Sequence, residues 1–379
     1  MKLFLNIKIM NKTLSALVPA LILMISCSGN KFSLEGDFKN ADSETFEGKT
    51  IYLTDLVSGD YAPFDSTVIT NGMFSLSTIC DSSRVAFITI QTTPYDAPVV
   101  IPFVFEKGKV QLQVSNSAFT LSGTPQNVAL QQYAELETNL WQKLGNYKLQ
   151  LQADSTIADS ARVLQYSQME DLIYQEYAEK SFELIKQNVN LPIGTYIFLN
   201  TYYYFKPDMI DGILAAFDDR IKQTPKIQQI MANNELTKSL CAGVSYIDFE
   251  ALTPAGDTLA LSDLVGKTDY VLLDFWASWC PDCVAAIPAL KQIYAKNSNK
   301  LEILSISLDE DKEKWIKNGI QKYDLKWKQV SNLAKWNDNI AKSYAVNSIP
   351  AIYLIDKEGK IVLAKATLSE VRAILSGIK

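Results

Sequence analysis

Two cysteines separated by two residues carry the clearest chemical meaning in this sequence. The motif Cys280-Pro281-Asp282-Cys283 follows an apolar run typical of a buried strand, Tyr270 to Phe275, and precedes a segment whose apolar residues recur with helical spacing. At such a junction both sulfur atoms lie in the first helical turn, where unpaired backbone N–H groups and the positive helix end stabilise a thiolate. Because the thiolate is the attacking species in thiol–disulfide exchange, the motif predicts that chemistry.

The two cysteines are expected to differ in role. Cys280 begins the turn and is predicted to be the exposed nucleophile, whereas Cys283 lies one turn further in and is predicted to be the resolving thiol that releases a mixed disulfide. Pro281 suits the first helical turn, because the N–H that proline lacks has no helical partner there.

The composition excludes several other kinds of site. The 379 residues include no histidine, which rules out Ser-His-Asp and Cys-His catalysis and His-ligated metals. A net charge of −6 argues against nucleic-acid binding. A structural zinc ion would need two more ligands, and Cys80 and Cys241 are isolated in the sequence. We therefore predict no metal and no cofactor, while a disulfide between Cys80 and Cys241 stays open.

The N-terminal segment has the pattern of an export signal. Lysines precede a short apolar run, Leu14 to Ile25, that is too short for a spanning helix. The run ends at Ser26-Cys27, which resembles a bacterial lipobox, and the resemblance implies cleavage before Cys27 and lipidation of its thiol. The alternative is a plain signal peptide that contains a cysteine. We expect residues 1–26 to be a lipoprotein signal peptide and the protein to be lipid-anchored in a bacterial cell envelope, facing the periplasm.

The rest of the chain divides into three predicted regions, residues 27–125, 126–238 and 239–379. The first has short β-rich segments separated by turn signals, of which Asn71-Gly72 is a strong hairpin signal because both residues tolerate positive φ. This spacing predicts a β-sandwich or barrel. The second has a helical apolar period. The predicted strands are Thr50–Asp55, Ser66–Thr70, Met73–Ser77, Val85–Thr92, Val99–Phe105 and Lys109–Val114, and further helices are predicted at Ser160–Asn188, Gly194–Tyr204, Asp208–Arg220 and Pro225–Ala232.

Several aromatic residues cluster in the helical region, at 202–205. They could form a stacking surface for a partner or pack in a helical core, and we favour core packing. No cysteine pair, phosphate-binding loop or metal spacing occurs in residues 32–123 or 127–234.

In residues 239–379, Asp274 stands on a strand six residues before Cys280, Trp279 stands directly before it, and Ile349-Pro350 follows about 70 residues later. With these residues, the region resembles the TlpA/ResA branch of the thioredoxin superfamily. The resemblance implies an α/β domain with a central mixed sheet. It places Asp274 beneath the cysteine pair as the proton acceptor for Cys283, with a partly exposed strand-end aspartate as the alternative. It also implies that Pro350 is a cis-proline facing the cysteines, with the backbone of Ile349 available to a substrate strand.

The order of the three regions resembles lipoproteins of Bacteroidota type, which join a domain of unknown function to a thioredoxin-like domain. The segments that carry this resemblance are Phe32–Gly36, Asp65–Thr67, Asn71–Phe74 and Ser122–Thr124. The predicted fold class is therefore α+β multidomain, with a β-sandwich-like N-terminal domain, a helical middle region and a C-terminal thioredoxin-like domain.

The residues next to the two cysteines differ from those typical of the TlpA/ResA branch. ResA-like reductases carry a glutamate where this chain has Ala286, and often a basic residue where it has Val284. Both departures argue against a specific role in apocytochrome c reduction. Asp282, between the cysteines, is unusual. A carboxylate beside the Cys280 thiolate should raise the thiol pKa and stabilise the disulfide, which would make the domain a reductant.

We predict an envelope thiol–disulfide oxidoreductase that reduces disulfides of periplasmic proteins. By resemblance, a membrane transporter of the DsbD or CcdA kind would supply its electrons. One alternative is an N-terminal partner-binding module with an accessory redox domain. Another is a peroxiredoxin-like peroxidase, which needs a threonine where this chain has Ala277.

Overall fold

The computed structural model describes residues 30–41, 43–93, 97–116, 118–154 and 159–377. The predicted signal peptide and Cys27 lie outside the described residues. Within those ranges, no helix is both long and apolar enough to cross a membrane. The described chain forms two compact units: one runs to residue 138 and includes 181–200, and the other comprises 139–180 and the residues from 201 onward. The predicted middle region is thus divided between the units.

The first unit contains two four-stranded β-sheets. Its strands are β1 (Lys31–Asn40), β2 (Thr50–Val57), β3 (Asp60–Val68), β4 (Met73–Ile79), β5 (Arg84–Ile90), β6 (Val99–Phe105), β7 (Gly108–Ser115) and β8 (Phe119–Ser122). The sheet orders are β4-β1-β7-β8 and β3-β2-β5-β6. Phe32 of β1 lies against Phe103 and Phe105 of β6, with ring centroids 5.7 and 4.6 Å apart. The two sheets therefore face each other through an aromatic core, and the predicted sandwich is confirmed.

The turn at Asn71-Gly72 forms as predicted, and Thr70 and Met73 on its two sides pair antiparallel as in a hairpin, but this pairing does not continue into the flanking strands. Both residues have positive φ, 54° and 68°. However, β3 pairs with β2 and β4 pairs with β1, so the chain changes sheets at this turn. The sequence analysis did not identify β1 or β8. In β1, Gly36 faces Phe74 so closely that a Cβ atom would lie 1.8 Å from the ring, which explains glycine at this strand position.

Helices follow the sandwich, as the apolar period predicts. They are α2 (Pro125–Ala153), α3 (Asp159–Gln187), α4 (Pro192–Thr201), α5 (Pro207–Ala216), α6 (Asp219–Lys222) and α7 (Pro225–Ser239). A short helix, α1 (Ser43–Phe46), lies earlier, between β1 and β2. The fully buried Asn127 joins the start of α2 to β6 by accepting a hydrogen bond from the Val104 N–H and donating one to the Val104 carbonyl oxygen.

The second unit is built around a five-stranded mixed sheet, as predicted. Its elements are β9 (Glu250–Leu252), β10 (Thr258–Ala260), β11 (Tyr270–Trp276), α8 (Pro281–Asn297), β12 (Leu301–Ser307), α9 (Lys312–Lys314), β13 (Lys328–Val330), α10 (Asn339–Ser343), β14 (Ala351–Asp356), β15 (Ile361–Ala364) and α11 (Leu368–Leu375). The sheet order is β13-β12-β11-β14-β15. β11 runs parallel to β12 and antiparallel to β14, while β9 and β10 form a separate pair.

The central strand β11 determines where the cysteine motif lies. Every residue of β11 after Tyr270 is buried, as expected for a strand covered on both faces. The chain leaves β11 at Trp276 and enters α8 at Pro281, and Ile287, Leu290 and Ile293 of α8 are buried in the same core. The strand and helix are thus fixed by apolar burial, and the motif lies at the junction between them.

Candidate active site

Cys280 and Cys283 are joined by a disulfide at the N-terminus of α8. Their Cα atoms are 5.3 Å apart. Cys280 is the N-cap residue, and its Sγ accepts a hydrogen bond of 3.1 Å from the backbone N–H of Cys283. Pro281 occupies the first helical turn, as predicted. The sulfur of Cys280 therefore lies where an N–H donor and the positive end of the helix favour a thiolate after reduction.

The prediction that Cys280 is exposed is wrong for this oxidised form. Cys280 is 5% exposed and Cys283 is 3% exposed, so burial does not distinguish them. The reason is that the Cys280 sulfur turns inward toward the helix end and lies 3.7 Å from the carbonyl oxygen of Ile349. The asymmetry between the cysteines lies in their hydrogen bonding, since Cys280 provides the capping sulfur and Cys283 the capping N–H.

The loop before β14 brings Ile349 and Pro350 to the disulfide. The Ile349–Pro350 peptide bond is cis, as the family resemblance implies. Pro350 is exposed, and the Ile349 carbonyl oxygen is the backbone acceptor beside Cys280. Residues about 70 positions apart in the sequence thus meet at one end of the sheet.

Asp274 is a buried carboxylate on β11, which excludes the exposed strand-end alternative. It is 4% exposed, and its Oδ2 accepts a hydrogen bond of 2.7 Å from the Ser305 hydroxyl on the neighbouring strand β12. The Ser305 oxygen in turn accepts a 2.8 Å hydrogen bond from the Trp327 indole N–H. Burial raises the pKa of Asp274 to about 6, although the Ser305 hydrogen bond opposes the shift.

A second buried carboxylate, Asp309, holds the loop that precedes Cys280. It is 1% exposed and accepts hydrogen bonds from the backbone N–H of Ser278 at 3.0 Å and from the Ser278 hydroxyl at 2.7 Å. Sequence reasoning missed Asp309 and Ser305. Their position at the end of β12, directly beside β11, was the available signal, because adjacent parallel strands end at the same sheet edge.

Two exposed tryptophans flank the disulfide loop. Trp279 is 46% exposed and Trp336 is 41% exposed, and their ring centroids are 6.4 Å apart. Trp279 also lines a cleft of about 690 Å³ together with charged side chains that include Glu310 and Lys335. Sequence reasoning identified Trp279 but not Trp336, which is far from the motif in sequence. The pair presents an open aromatic surface next to the cysteines.

Asp282 lies in the first turn of α8, among residues of the helical region that belong to the same unit. Burial raises the pKa values of Glu170, Tyr166, Tyr174 and Tyr204, and the Asp282 charge adds a smaller contribution to each of these shifts.

The remaining described cysteines are thiols in the structure. Cys80 is buried, and its Sγ lies 3.5 Å from the carbonyl oxygen of Ser82. Cys241 is exposed. The structure therefore shows no disulfide between Cys80 and Cys241 in the described part of the chain.

Comparison with known proteins agrees with this geometry. Residues 267–361 match the family model described as thioredoxin-like. Over 131 residues the chain is 30% identical to the thiol-disulfide oxidoreductase ResA of Geobacillus thermodenitrificans, covering 31% of this chain and 73% of that protein. The chain belongs to the thioredoxin-like family, in its ResA-like branch. The ResA of Bacillus cereus is 36% identical over 108 residues, which cover 28% of this chain and 59% of that relative.

The N-terminal part of the chain matches a different family model. Residues 32–130 match a domain of unknown function, DUF4369, which agrees with the predicted N-terminal domain of unknown function. Among solved structures, a thiol-disulfide oxidoreductase from Bacteroides fragilis is 32% identical, with a TM-score of 0.32 and coverage of 36% of this chain and 100% of that one. The residues that match the thioredoxin-like model, 267–361, lie in the second unit, which contains the cysteine pair.

Proposed function

We propose that the protein is an envelope thiol–disulfide oxidoreductase that reduces disulfides in other polypeptides through Cys280 and Cys283. The observation that carries this proposal is the disulfide at the N-terminus of α8, whose Cys280 sulfur lies beside both a backbone donor and the carbonyl oxygen of Ile349. Trp279 and Trp336 add exposed aromatic surface on which an apolar segment of a polypeptide can pack.

The reaction begins from the dithiol form. The Cys280 thiolate attacks one sulfur of the substrate disulfide, a mixed disulfide forms, and the other substrate sulfur leaves as a thiolate that takes a proton. Cys283 then loses its proton and attacks the Cys280 sulfur, which forms the intramolecular disulfide seen here and releases the second substrate thiol. The substrate gains two electrons and two protons, and the Cys280–Cys283 pair loses them.

Each cycle leaves Cys280 and Cys283 oxidised, so turnover needs a dithiol donor. We propose a membrane transporter of the DsbD or CcdA kind as that donor, because the cysteine domain is ResA-like and the sequence carries a lipobox-like segment at Cys27. Such a donor delivers electrons across a membrane into a compartment that is otherwise oxidising.

The direction of the reaction is tested by the redox potential of the Cys280–Cys283 pair. Asp282 places a carboxylate in the first turn of α8, which disfavours a thiolate and so stabilises the disulfide. We expect equilibration in glutathione buffers, read by alkylation and mass spectrometry, to give a potential close to that of thioredoxin, about −270 mV. A potential near that of DsbA, about −120 mV, would show that the protein is an oxidant instead.

Lipidation at Cys27 is the second testable part of the proposal. Cells that express the full chain should incorporate a labelled fatty acid into the protein and retain it in the membrane fraction, because an acylated N-terminus partitions into lipid. Cys27→Ser should abolish the label, whereas Cys241→Ser, which changes an exposed cysteine elsewhere, should retain it. Label that persists in Cys27→Ser would contradict the lipobox interpretation.

A further inference from the structure

Helix α7, the last helix of the predicted middle region, is attached to the core of the thioredoxin-like fold. Leu240, directly after the helix, is buried in that core, and Leu236 packs against it. The ammonium group of Lys365, directly after β15, donates a 3.0 Å hydrogen bond to the Thr237 hydroxyl. Thr237 in turn donates a 2.9 Å hydrogen bond to the carbonyl oxygen of Asn233, one helical turn earlier. These contacts fix α7 beside the central sheet.

From this position Asn233 reaches the cis-proline loop, residues 344–350, which connects α10 to β14. The side-chain N–H of Asn233 donates a 3.2 Å hydrogen bond to the carbonyl oxygen of Ala345. The side-chain oxygen of Asn233 accepts a 3.1 Å hydrogen bond from the side-chain N–H of Asn347. One side chain of α7 thus holds the loop at two points, four and two residues before Ile349.

Backbone hydrogen bonds fix only the first part of the cis-proline loop. The Val346 N–H donates a 2.8 Å hydrogen bond to the carbonyl oxygen of Ala341, but within the described part of the chain the N–H groups of residues 347–349 donate none. Ala345 has a φ of 54°, in the left-handed region that alanine adopts only where neighbouring contacts hold it. The two hydrogen bonds from Asn233 therefore restrain a stretch of backbone that has few other restraints.

Given the proposed reduction of disulfides in polypeptides, we propose that Asn233 is a positioning residue for the substrate. The Ile349 carbonyl oxygen lies 3.7 Å from the Cys280 sulfur, so an extended substrate segment that pairs with this backbone brings its disulfide to Cys280. By holding Ala345 and Asn347, Asn233 keeps this backbone in place before the substrate binds, which lowers the entropy lost on binding. The middle region thereby contributes to substrate binding through α7.

This role predicts a difference between two classes of disulfide. A polypeptide substrate uses the backbone of the cis-proline loop as well as the cysteine pair. Bis(2-hydroxyethyl) disulfide has no peptide groups and uses the cysteine pair alone. Without the Asn233 contacts, the loop must be ordered when a polypeptide binds, so binding of polypeptides should weaken while reaction with the small disulfide is unaffected.

The experiment compares both substrates for Asn233→Ala, which removes both hydrogen bonds to the loop. We expect KM for insulin, with dithiothreitol as the donor, to rise about five- to tenfold at unchanged kcat, roughly the effect of one net hydrogen bond on binding. The rate constant for bis(2-hydroxyethyl) disulfide should equal that of the wild type, which also shows that the variant is folded.

Asn347→Ala tests the same contact from the side of the loop. It removes one of the two hydrogen bonds, so KM for insulin should rise by a smaller factor than in Asn233→Ala. Adding Asn347→Ala to Asn233→Ala should cause no further rise, because both substitutions break one shared contact. Independent, additive increases in KM would show that Asn233 does not act through the loop.

Asn234→Ala is the matched control. Asn234 is the next residue of α7 and is buried, but its side-chain N–H groups donate to the Pro207 carbonyl oxygen at 3.1 Å and to the Asp211 carboxylate at 2.7 Å, both in α5. Its KM for insulin should equal that of the wild type even where its thermal stability is lower.

Equal KM values for Asn233→Ala and Asn234→Ala would refute the proposal, and so would a loss that is as large with the small disulfide as with insulin. These outcomes leave the proposed function intact, because the wild type still reduces insulin. A wild-type protein that reduces bis(2-hydroxyethyl) disulfide but not insulin would instead overturn the proposed function, and the role of Asn233 with it.

Discussion

Replacing Cys280 by serine is expected to reduce disulfide reduction by roughly 1,000-fold or more, the scale of loss when an enzyme lacks its nucleophile. A hydroxyl at the N-cap of α8 can still accept the hydrogen bond from the Cys283 N–H, so the fold should persist. It cannot provide a thiolate at neutral pH. Insulin reduction with dithiothreitol as the donor measures the loss.

Cys283→Ser is expected to fail at a later step. The Cys280 thiolate still attacks, but no second sulfur releases the substrate, so a covalent adduct accumulates through Cys280. Non-reducing gels and mass spectrometry of the trapped species test this. Cys241→Ser is the matched control, because it changes an exposed cysteine without affecting the pair. Equal trapping by Cys280→Ser and Cys283→Ser would show that the assigned roles are wrong.

The adducts of Cys283→Ser also distinguish the proposed enzyme from the alternative, a partner-binding module. If the N-terminal unit captured partners by itself, partners would remain bound to a Cys280→Ser/Cys283→Ser double variant, and no mixed disulfide would form. If Cys280 carries the function, partners are lost from the double variant and appear as disulfide adducts of Cys283→Ser. The comparison thus assigns binding either to the β-sandwich unit or to the cysteine motif.

The sequence predicted the cysteine domain well because its signals are local. A run of buried apolar residues, a Cys-x-x-Cys motif and a helical period determine β11, the turn and α8 without long-range information. The resemblance then supplied Asp274 and Pro350, which are distant in sequence. The structure confirms the burial of Asp274 and the cis bond at Pro350.

The parts that sequence reasoning missed depend on contacts between distant segments. Asp309 and Trp336 have no motif of their own, and their roles emerge only when β12 and the loop after β13 are placed beside the disulfide loop. Likewise, the helical period identified α3 but could not show that the Ser369 hydroxyl at the start of α11 donates a hydrogen bond to Asp171. The prediction that Cys280 is exposed was wrong for a related reason, because the burial of Cys280 depends on the distant loop that carries Ile349.

Asp274→Asn should slow release of the mixed disulfide by about 100-fold at pH 8, within the range for loss of a general base. Burial raises the pKa of the wild-type carboxyl to about 6, so at pH 8 it is ionised, which is the form that the proposed role as proton acceptor for Cys283 requires. At pH 5 the carboxyl is largely protonated in the wild type, so the two proteins should resolve the mixed disulfide at similar rates. Stopped-flow measurement of single-turnover release gives both values.

The same variant should be more stable than the wild type at pH 8. Burial raises the pKa of Asp274 from 3.8 to about 6, so between these values the folded state binds a proton that the unfolded state has released. Stability therefore falls as pH rises through that interval and stays lower above it, by about 3 kcal/mol for a shift of about two pKa units. Asparagine carries no charge, so the stability lost by burying the ionised carboxylate is recovered. Its side-chain oxygen can still accept the hydrogen bond from the Ser305 hydroxyl.

Urea unfolding of oxidised protein at pH 4 and pH 8 measures this difference. Asp274→Asn should match the wild type at pH 4 and exceed it at pH 8, while Asp257→Asn, at an exposed position, should match the wild type at both. If Asp274→Asn releases the mixed disulfide more slowly and is also less stable than the wild type at pH 8, Asp274 supports the fold rather than the proton transfer. Slower release together with higher stability would show that the protein tolerates a destabilising buried charge because the reaction at Cys283 requires it.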